Sequence, residues 1–417
     1  MNRLFVYGDF DWLESPLLIG QLGYESLRGS DSYSFCFDEN WLATYGNLML
    51  SADINNYVGI QYTQLGKDIF GCFSDVLPDR WGRTLLNRRE QIQAAEEKRP
   101  VRRLSSFDYL MGIDDFSRMG GFRFATEKGG VFINSKEDFR IPPLTDIRTL
   151  VVASMALERS EEKNLLPEKK WIQQLALPGT SLGGARPKAG VVDESGKLYM
   201  AKFPSRKDDY DVALWEHHSH LLAKACGVVA AETRVVNSGA KYHALLSLRF
   251  DRTHSGRRIH FASAMTLLGL SDGCDAKTGN GYLDIVDFIL QHCCDVSENL
   301  SQLFRRVAFN IAIGNSDDHF RNHGFVLTSR GWTLSPAYDM NPTLNNCQSL
   351  LINSYTNDAS LQILQDSCGE YMIAKNEAYT IIEEVRQGVR QWETLAISLD
   401  ISKRERNMFA QVYNKTI

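Results

Sequence analysis

Short alternating runs of apolar and polar residues dominate the first part of the chain. Residues 33–37 alternate aromatic with small side chains, and residues 57–62 are rich in side chains that favour strands. A helical pattern follows over residues 85–97. We therefore expect residues 1–125 to form a small β-rich subdomain with one or two helices.

The pattern of residues 126–250 predicts a second β-rich segment. It opens with a helix over residues 145–164, for which Thr145 is placed to cap the start. Two strands, 189–192 and 197–203, are then separated by a turn that contains glycine. This arrangement predicts a hairpin.

The last part of the chain has a helical period. An apolar strand over residues 242–250 ends in a charged turn, where we expect a hinge between two lobes. Beyond it, apolar residues recur every three or four positions at 283–293, 300–311 and 379–395. Residues 251–417 therefore predict a helical C-terminal lobe, and the whole chain predicts an α+β fold with a β-rich N-terminal half.

Composition narrows the function classes. Of the 417 residues, 43% are hydrophobic and 23% are charged, which is typical of a soluble globular protein. The net charge of -5 disfavours broad electrostatic affinity for nucleic acid or anionic membranes. No apolar run is long enough to cross a bilayer, no signal pattern opens the chain, and the eight cysteines form no C-x-x-C pair. We expect a cytoplasmic protein with no membrane partner.

Residues 313–341 contain the pattern that most directly indicates chemistry. Asp317 precedes Asn322 by five positions, and a predicted hairpin then leads to Asp339. This is the catalytic layout of protein-kinase-type phosphotransferases, in which the first Asp accepts the proton of the substrate hydroxyl and the other two residues hold magnesium ions. One short motif is weak evidence because polar loops rich in Asp and Asn are common. The interpretation therefore depends on whether the rest of a nucleotide site lies upstream.

Two upstream features could complete such a site. Residues 179–188 form a Gly-rich loop before the first strand of the hairpin, and glycines let backbone N–H groups approach phosphate oxygens. Lys202 lies on the second strand, on the same face as Leu198 and Met200, where a cation needs a partner. Glu216 on the following helix would pair with Lys202 and orient it onto the phosphates. The alternative is an edge lysine that reaches solvent beside an exposed glutamate.

Six segments carry a resemblance that extends over nearly the whole chain. They are Phe73-Ser-Asp-Val-Leu-Pro-Asp-Arg-Trp-Gly-Arg83, Arg118-Met-Gly-Gly-Phe-Arg-Phe124, Ser181-Leu-Gly-Gly-Ala-Arg-Pro-Lys188, Arg249-Phe-Asp-Arg252, Asn315-Ser-Asp-Asp-His-Phe-Arg-Asn322 and Leu334-Ser-Pro-Ala-Tyr-Asp339. In this order they resemble the HipA family of serine/threonine kinase toxins. The resemblance implies a two-lobed, protein-kinase-like (HipA-like) fold. Residues 1–125 would be the HipA-type N-terminal subdomain, 126–250 the ATP-binding N-lobe and 251–417 the catalytic lobe.

The resemblance also implies a role for each motif residue. Asp317 would be the catalytic base, Asn322 and Asp339 would hold Mg²⁺, and Lys202 would contact the phosphates of ATP. Backbone groups of residues 248–250 would face the adenine. The full set expected at the ATP site is Gly183, Gly184, Ala185, Lys188, Lys202, Leu248, Arg249, Phe250, His319, Asn322 and Asp339.

Regulation and partners follow from the same resemblance. Ser181 falls where HipA-like kinases autophosphorylate, which displaces the phosphate loop and inactivates them; the neighbouring Thr180 leaves the modified hydroxyl open. The family acts in type II toxin–antitoxin pairs, in which a small helix-turn-helix antitoxin (HipB-like) binds the kinase and operator DNA. DNA contact by this chain would run mainly through the antitoxin. The protein substrate would be a translation component such as an aminoacyl-tRNA synthetase.

Three functions are consistent with these observations. The first is an ATP- and Mg-dependent serine/threonine protein kinase that arrests growth. The second is a small-molecule phosphotransferase, because such enzymes share the same Asp-x-x-x-x-Asn arrangement. The third is an inactive kinase scaffold that binds the antitoxin and co-represses. A scaffold has no need of Lys202, Asp317, Asn322 and Asp339 together, which disfavours the third function.

Overall fold

Two compact units make up the protein in its computed structural model. They are Met1–Lys207 with Ser238–Lys241 and Leu248–Ala262, and Asp208–Asn237 with Tyr242–Ser247 and Ser263–Ile417. The structure describes residues 2–27, 30–64, 66–135, 141–163, 165–175, 184–345 and 347–414. Thr180, Ser181 and Gly183 lie outside these ranges. Because each unit is assembled from separate stretches, the predicted boundaries after residues 125 and 250 do not coincide with unit ends, and the three-segment division stays a prediction.

Twelve strands and fourteen α-helices lie in the described ranges. The strands are β1 (Asn2–Gly8), β2 (Leu17–Leu27), β3 (Ser30–Phe37), β4 (Ile60–Tyr62), β5 (Phe122–Ala125), β6 (Lys188–Val192), β7 (Leu198–Lys202), β8 (Thr233–Val236), β9 (Ala244–Leu248), β10 (His260–Ser263), β11 (Gly324–Thr328) and β12 (Gly331–Leu334). The helices are α1 (Glu39–Tyr45), α2 (Gly71–Ser74), α3 (Arg80–Glu96), α4 (Ser106–Met111), α5 (Ile147–Glu162), α6 (Lys169–Leu175), α7 (Val212–Ala225), α8 (Ala264–Leu267), α9 (Tyr282–His292), α10 (Val296–Ile313), α11 (Leu361–Asp366), α12 (Lys375–Val389), α13 (Trp392–Ser398) and α14 (Lys403–Asn414). No helix in these described stretches combines the length and apolar character needed to cross a membrane.

The first unit contains an antiparallel sheet in the order β4-β3-β2-β1-β5. Tyr33, Phe35 and Phe37 on β3 are all buried, which confirms the strand predicted at residues 33–37. Strand β4 is shorter than the predicted run at 57–62. The hairpin predicted after the Gly-rich loop is also present as β6 and β7, with Lys188 opposite Lys202.

Helix α5 corrects a predicted cap. It begins at Ile147, after a 3-10 turn over Leu144–Asp146, and its N-cap residue Asp146 makes no side-chain capping bond. Thr145 lies inside that turn, so the prediction that it caps the helix is wrong. The helical assignment itself is confirmed, since α5 runs to Glu162 with a buried apolar stripe.

The second unit is mainly helical, as predicted. Helices α9 and α10 match the predicted segments 283–293 and 300–311. The stripe predicted at 379–395 is divided into two helices, because α12 ends at Val389 and α13 begins at Trp392. The final helix α14 follows Ser402, whose hydroxyl accepts the backbone N–H of Glu405 at 3.3 Å.

A buried charge cluster joins early and late segments of the first unit. Asp251 is 0% exposed, and its carboxylate accepts hydrogen bonds from Arg249 (2.7 and 2.6 Å), Arg252 (2.7 Å) and the backbone N–H of Gly120 (2.7 Å). Burial alone would raise the pKa of Asp251, but the two arginines hold it well below its usual range. Arg252 also donates to the carbonyl of Arg118 at 2.8 Å. The segments 118–124 and 249–252, both noted as family-like in the sequence, are therefore bonded to each other.

Candidate functional site

Helix α10 directly precedes the predicted catalytic loop. The helix ends at Ile313, and Gly314 takes a left-handed backbone conformation with φ 67°. A Cβ atom at this position would overlap Cγ1 of Val412 and lie 3.1 Å from the carbonyl oxygen of Thr343. Glycine is thus favoured by the backbone conformation and by the available space.

The loop contains two adjacent aspartates with opposite environments. Asp317 is exposed, whereas Asp318 is 2% exposed. The pKa of Asp317 is raised because protein displaces part of the surrounding water and because Asp339 and Asp318 are negative, while His319 acts in the opposite direction. A carboxylate that is both accessible and more basic than usual is suited to accept a proton from a hydroxyl.

Oxygen atoms suited to a magnesium ion lie beside Asp317. The side-chain Nδ2 of Asn322 donates to the carbonyl of Asp317 at 2.8 Å, and its buried Oδ1 has no hydrogen-bond partner among the described residues. Asp339 has φ 57°, a conformation that non-glycine residues rarely adopt and that is often found at functional sites. Mg²⁺ is usually held by one or two protein oxygens together with substrate phosphates, so an amide oxygen and a carboxylate fit it.

His319 also belongs to this group. It follows Asp317 by two positions, is partly buried, and its Nδ1 has no hydrogen-bond partner in the described part of the chain. The hairpin of β11 and β12, with Thr328 opposite Gly331, leads from Asn322 to Asp339 as predicted. The second unit therefore brings Asp317, His319, Asn322 and Asp339 together on one loop and one hairpin.

A buried network that the sequence did not indicate lies beneath the loop. Oδ2 of Asp318 accepts hydrogen bonds from the hydroxyl of Tyr282 (2.7 Å), Nδ2 of Asn310 (2.6 Å) and Nε2 of His323 (2.9 Å). Burial alone would raise the pKa of Asp318, yet His323 and the other donors lower it. The available signal was a polar Asn310 inside the apolar run Val307–Ile313, where a buried amide needs a partner.

In the first unit, the described end of the Gly-rich loop is bonded to the N-terminal part of the chain. Nζ of Lys188 lies 2.8 Å from the carboxylate of Asp79, and both side chains are buried. Trp81 donates its indole N–H to the carbonyl of Lys188 at 3.0 Å. Gly184 has φ 97°, and a Cβ there would lie 3.0 Å from Nζ of Lys188. Lys188, predicted from the resemblance to line the ATP site, thus has a buried carboxylate partner, and Ala185 borders a neighbouring cavity.

The segment 248–252, where a hinge is predicted, is bonded within itself and to other parts of the first unit. The side chain of Arg249 is directed to Asp251 and to the carbonyl of Ser117 (3.1 Å), and its backbone N–H donates to Leu198 at 3.0 Å. A role for the backbone of residues 248–250 at an adenine ring stays a prediction. Because the backbone N–H of Arg249 is already bonded to Leu198, any contact with adenine would have to come from the other backbone groups of residues 248–250.

The predicted Lys202–Glu216 pair is divided between the units. Lys202 is partly exposed at the end of β7 in the first unit, with Leu198 and Met200 buried before it. Glu216 is 3% exposed within α7 of the second unit. The alternative of a solvent-facing glutamate is therefore wrong, because Glu216 is buried. The pairing itself stays a prediction.

A family model and two curated relatives match this chain. The model of the HipA-like C-terminal domain matches residues 180–392. A Haemophilus influenzae protein described as a candidate kinase is 28% identical over 180 residues, which cover 39% of this chain and 52% of that protein. The serine/threonine-protein kinase toxin HipA of Shewanella oneidensis is 25% identical over 224 residues, which cover 48% of this chain and 50% of that protein. The chain thus spans about half the length of these curated relatives.

A solved structure extends the likeness to the whole fold. The Shewanella oneidensis HipA in complex with HipB and operator DNA matches with a TM-score of 0.68 and 18% identity, over 99% of this chain and 95% of that chain. At this identity the likeness shows the fold, and it confirms the predicted α+β, HipA-like class. Because the family model covers more than half of the chain, this protein belongs to the HipA family.

Proposed function

We propose that this protein is an ATP- and Mg-dependent serine/threonine protein kinase that acts as the toxin of a type II toxin–antitoxin pair. The observation that carries the proposal is the joint placement of an exposed Asp317, the Oδ1 of Asn322, which has no hydrogen-bond partner within the described ranges, and Asp339 in a left-handed conformation. Kinase activity is also the function named for the relatives from Haemophilus influenzae and Shewanella oneidensis. The three predicted segments, 1–125, 126–250 and 251–417, belong to this proposal as N-terminal subdomain, ATP-binding lobe and catalytic lobe.

The proposed reaction assigns one task to each residue. Lys202 and the Gly-rich loop hold the phosphates of ATP, and Asn322 with Asp339 hold Mg²⁺, which neutralises phosphate charge when bound. The acceptor hydroxyl oxygen bonds to the γ-phosphorus while the bond from that phosphorus to the β,γ-bridging oxygen breaks, and ADP leaves. Asp317 takes the hydroxyl proton. Such general-base assistance contributes roughly 10²–10⁴-fold in rate.

The proposed regulation and partners complete this picture. Ser181, or the neighbouring Thr180, is the autophosphorylation site, where a charge of nearly -2 beside the bound triphosphate would displace the loop. A helix-turn-helix, HipB-like antitoxin neutralises the kinase and carries most of the contact with operator DNA. The HipA structure with HipB and operator DNA supports this choice of partner. The substrate is a cytoplasmic protein of translation.

The test is phosphate transfer by the purified protein with Mg²⁺ and labelled ATP. Wild type is expected to label itself and a protein acceptor, and Asp317→Gln to lose at least about 10²-fold of this rate because the base is gone. Asp287→Gln is the matched control, since Asp287 is an exposed carboxylate on α9 of the same unit. Phosphopeptide mapping then assigns the label to residue 180 or 181.

Three results would overturn the proposal in distinguishable ways. Equal labelling by wild type and Asp317→Gln would exclude Asp317 as the base. Transfer to a soluble metabolite without any labelled protein would indicate a small-molecule phosphotransferase. No rise in melting temperature with ATP and Mg²⁺ would favour a scaffold that only binds the antitoxin.

A further inference from the structure

We infer that Asp318 is a positioning residue for the proposed reaction and that, through Tyr282, Asn310 and His323, it fixes Asp317 relative to Asn322. We call these four side chains the Asp318 network. The inference rests on the proposed function, since it concerns the same loop. It differs in assigning a role to a residue that touches neither nucleotide nor acceptor.

The Asp318 network connects three separate parts of the second unit. Tyr282 is the first residue of α9, Asn310 lies in the last turns of α10, and His323 immediately precedes β11. All four side chains are 2% exposed or less. A carboxylate buried in this way loses most of its hydration, a loss that close charge-assisted hydrogen bonds offset. Because all the donors converge on the same Oδ2 atom, the carboxylate acts as a fixed point for the loop.

The network also closes the catalytic loop into a ring. Asp318 is the residue after Asp317, and His323 is the residue after Asn322, so the bond from His323 to Asp318 (2.9 Å) joins the two ends of the loop. Inside this ring, the backbone N–H of Asn322 donates to His319 at 2.8 Å, and its side chain donates to Asp317 at 2.8 Å. The separation of the proposed base and the proposed magnesium ligand is therefore set by the ring.

Further bonds hold the ring against the rest of the unit. The carbonyl of His323 accepts the backbone N–H of Ala264 at 2.8 Å, and Asn315 donates to the side-chain oxygen of Asn310 at 3.1 Å. The aromatic side chains of Tyr282 and His323 pack edge to face, with their centroids 5.6 Å apart. Removing one donor from Asp318 would loosen the ring without touching any group that contacts substrate. A misplacement of about 1 Å in a reacting group can cost about 10²-fold in rate.

Tyr282→Phe is the sharpest test because it removes one donor and keeps the buried ring. Its matched control is Tyr371→Phe, since Tyr371 is equally buried in the same unit and donates its hydroxyl to the buried carbonyl of Ile352. Both variants lose one buried hydrogen bond, so their melting temperatures are expected to fall by similar amounts. We expect kcat for phosphate transfer to fall about 10- to 100-fold in Tyr282→Phe and to stay within about twofold of wild type in Tyr371→Phe. The KM for ATP should change little in either variant.

A second readout follows the magnesium ligand. Because Asn322 is one end of the ring, the Mg²⁺ concentration for half-maximal rate is expected to rise in Tyr282→Phe and in Asp318→Asn, but not in Tyr371→Phe. Wild-type kcat in a folded Tyr282→Phe, or an equal loss in Tyr371→Phe, would overturn the inference. Should Asp318→Asn fail to fold, Tyr282→Phe alone decides.

The proposed function and the inference can fail separately. If wild type transfers no phosphate, the proposed function fails. The positioning role of the Asp318 network is then tested by calorimetry, which measures the Kd for Mg²⁺ in the presence of ATP. An unchanged Kd in Tyr282→Phe would overturn the inference, and a weakened Kd confined to that variant would support it.

Discussion

Asp79 and Lys188 form a buried ion pair whose removal should be costly. The two side chains are 4% and 6% exposed and lie 2.8 Å apart, so both charges are largely removed from water. Asp79 also caps α3 by accepting the N–H of Gly82 at 2.8 Å. Asp79→Asn keeps this cap, because asparagine is an equally good N-cap residue, and removes only the charge. Removing the carboxylate charge beside this buried lysine ammonium should lower the free energy of unfolding by about 3–5 kcal/mol.

A double-mutant cycle isolates the charge pairing. Lys188→Met alone should also destabilise the protein because it leaves Asp79 buried without its cation. In the double variant no charge remains buried, so the combined loss should be smaller than the sum of the single losses by about 2–3 kcal/mol. Urea unfolding followed by circular dichroism measures all four proteins, provided that their m-values agree.

An exposed pair of equal length supplies the control. Lys169 and Glu96 are also 2.8 Å apart, but their side chains are 54% and 51% exposed. Glu96→Gln should therefore change the free energy of unfolding by less than about 1 kcal/mol. A loss of that small size in Asp79→Asn, or strict additivity in the cycle, would refute the view that this pair is a buried, coupled contact.

Two other substitutions test the backbone strain at Gly314 and the protonation of the buried His218. Gly314→Ala should lower the free energy of unfolding, measured by thermal melts, by at least about 1–2 kcal/mol because alanine is strained in a left-handed conformation. Overlap of the new Cβ with Val412 should add to this loss. Gly273→Ala is the control for strain alone, because Gly273 has φ 94° and open space around it. Burial lowers the pKa of His218 to about 4, so unfolding takes up a proton at this group below pH 6.5, and its contribution to the free energy of unfolding should fall between about pH 6.5 and 4, by about 3 kcal/mol at most. His218→Gln should flatten this part of a urea-unfolding pH series, and a slope equal to that of wild type would contradict the assignment.

Local patterns predicted local structure. The hairpins β6–β7 and β11–β12 and the helices α9 and α10 were predictable because each depends on alternation, turn residues or a helical period within a few positions. The break between α12 and α13 was not predictable, because apolar residues keep a three-to-four spacing across it. Thr145 failed as a cap for a related reason, since a 3-10 turn places the same residue inside rather than before the helix.

The candidate site shows the same distinction between features set by local sequence and features set by distant contacts. Asp317, Asn322 and Asp339 could be selected because one loop and one hairpin carry them all. The partner of Lys188 is Asp79, more than 100 positions earlier, and periodicity contains no information on such a pairing. Asp318 was equally hard to interpret, because two adjacent aspartates have identical chemistry until burial distinguishes them.

The charge cluster around Asp251 has a consequence for how the protein is made. Asp251 lies 131 positions after Gly120, to which it is bonded, and Arg258 lies 143 positions after its partner Asp115. At about 5–20 residues per second, a ribosome takes on the order of ten seconds to add that intervening length. During this time Asp115 already has Arg123 as a partner but lacks Arg258, and the carbonyl of Arg118 lacks its donor Arg252. This charge cluster of the first unit can therefore be completed only after residue 258 has been added to the chain.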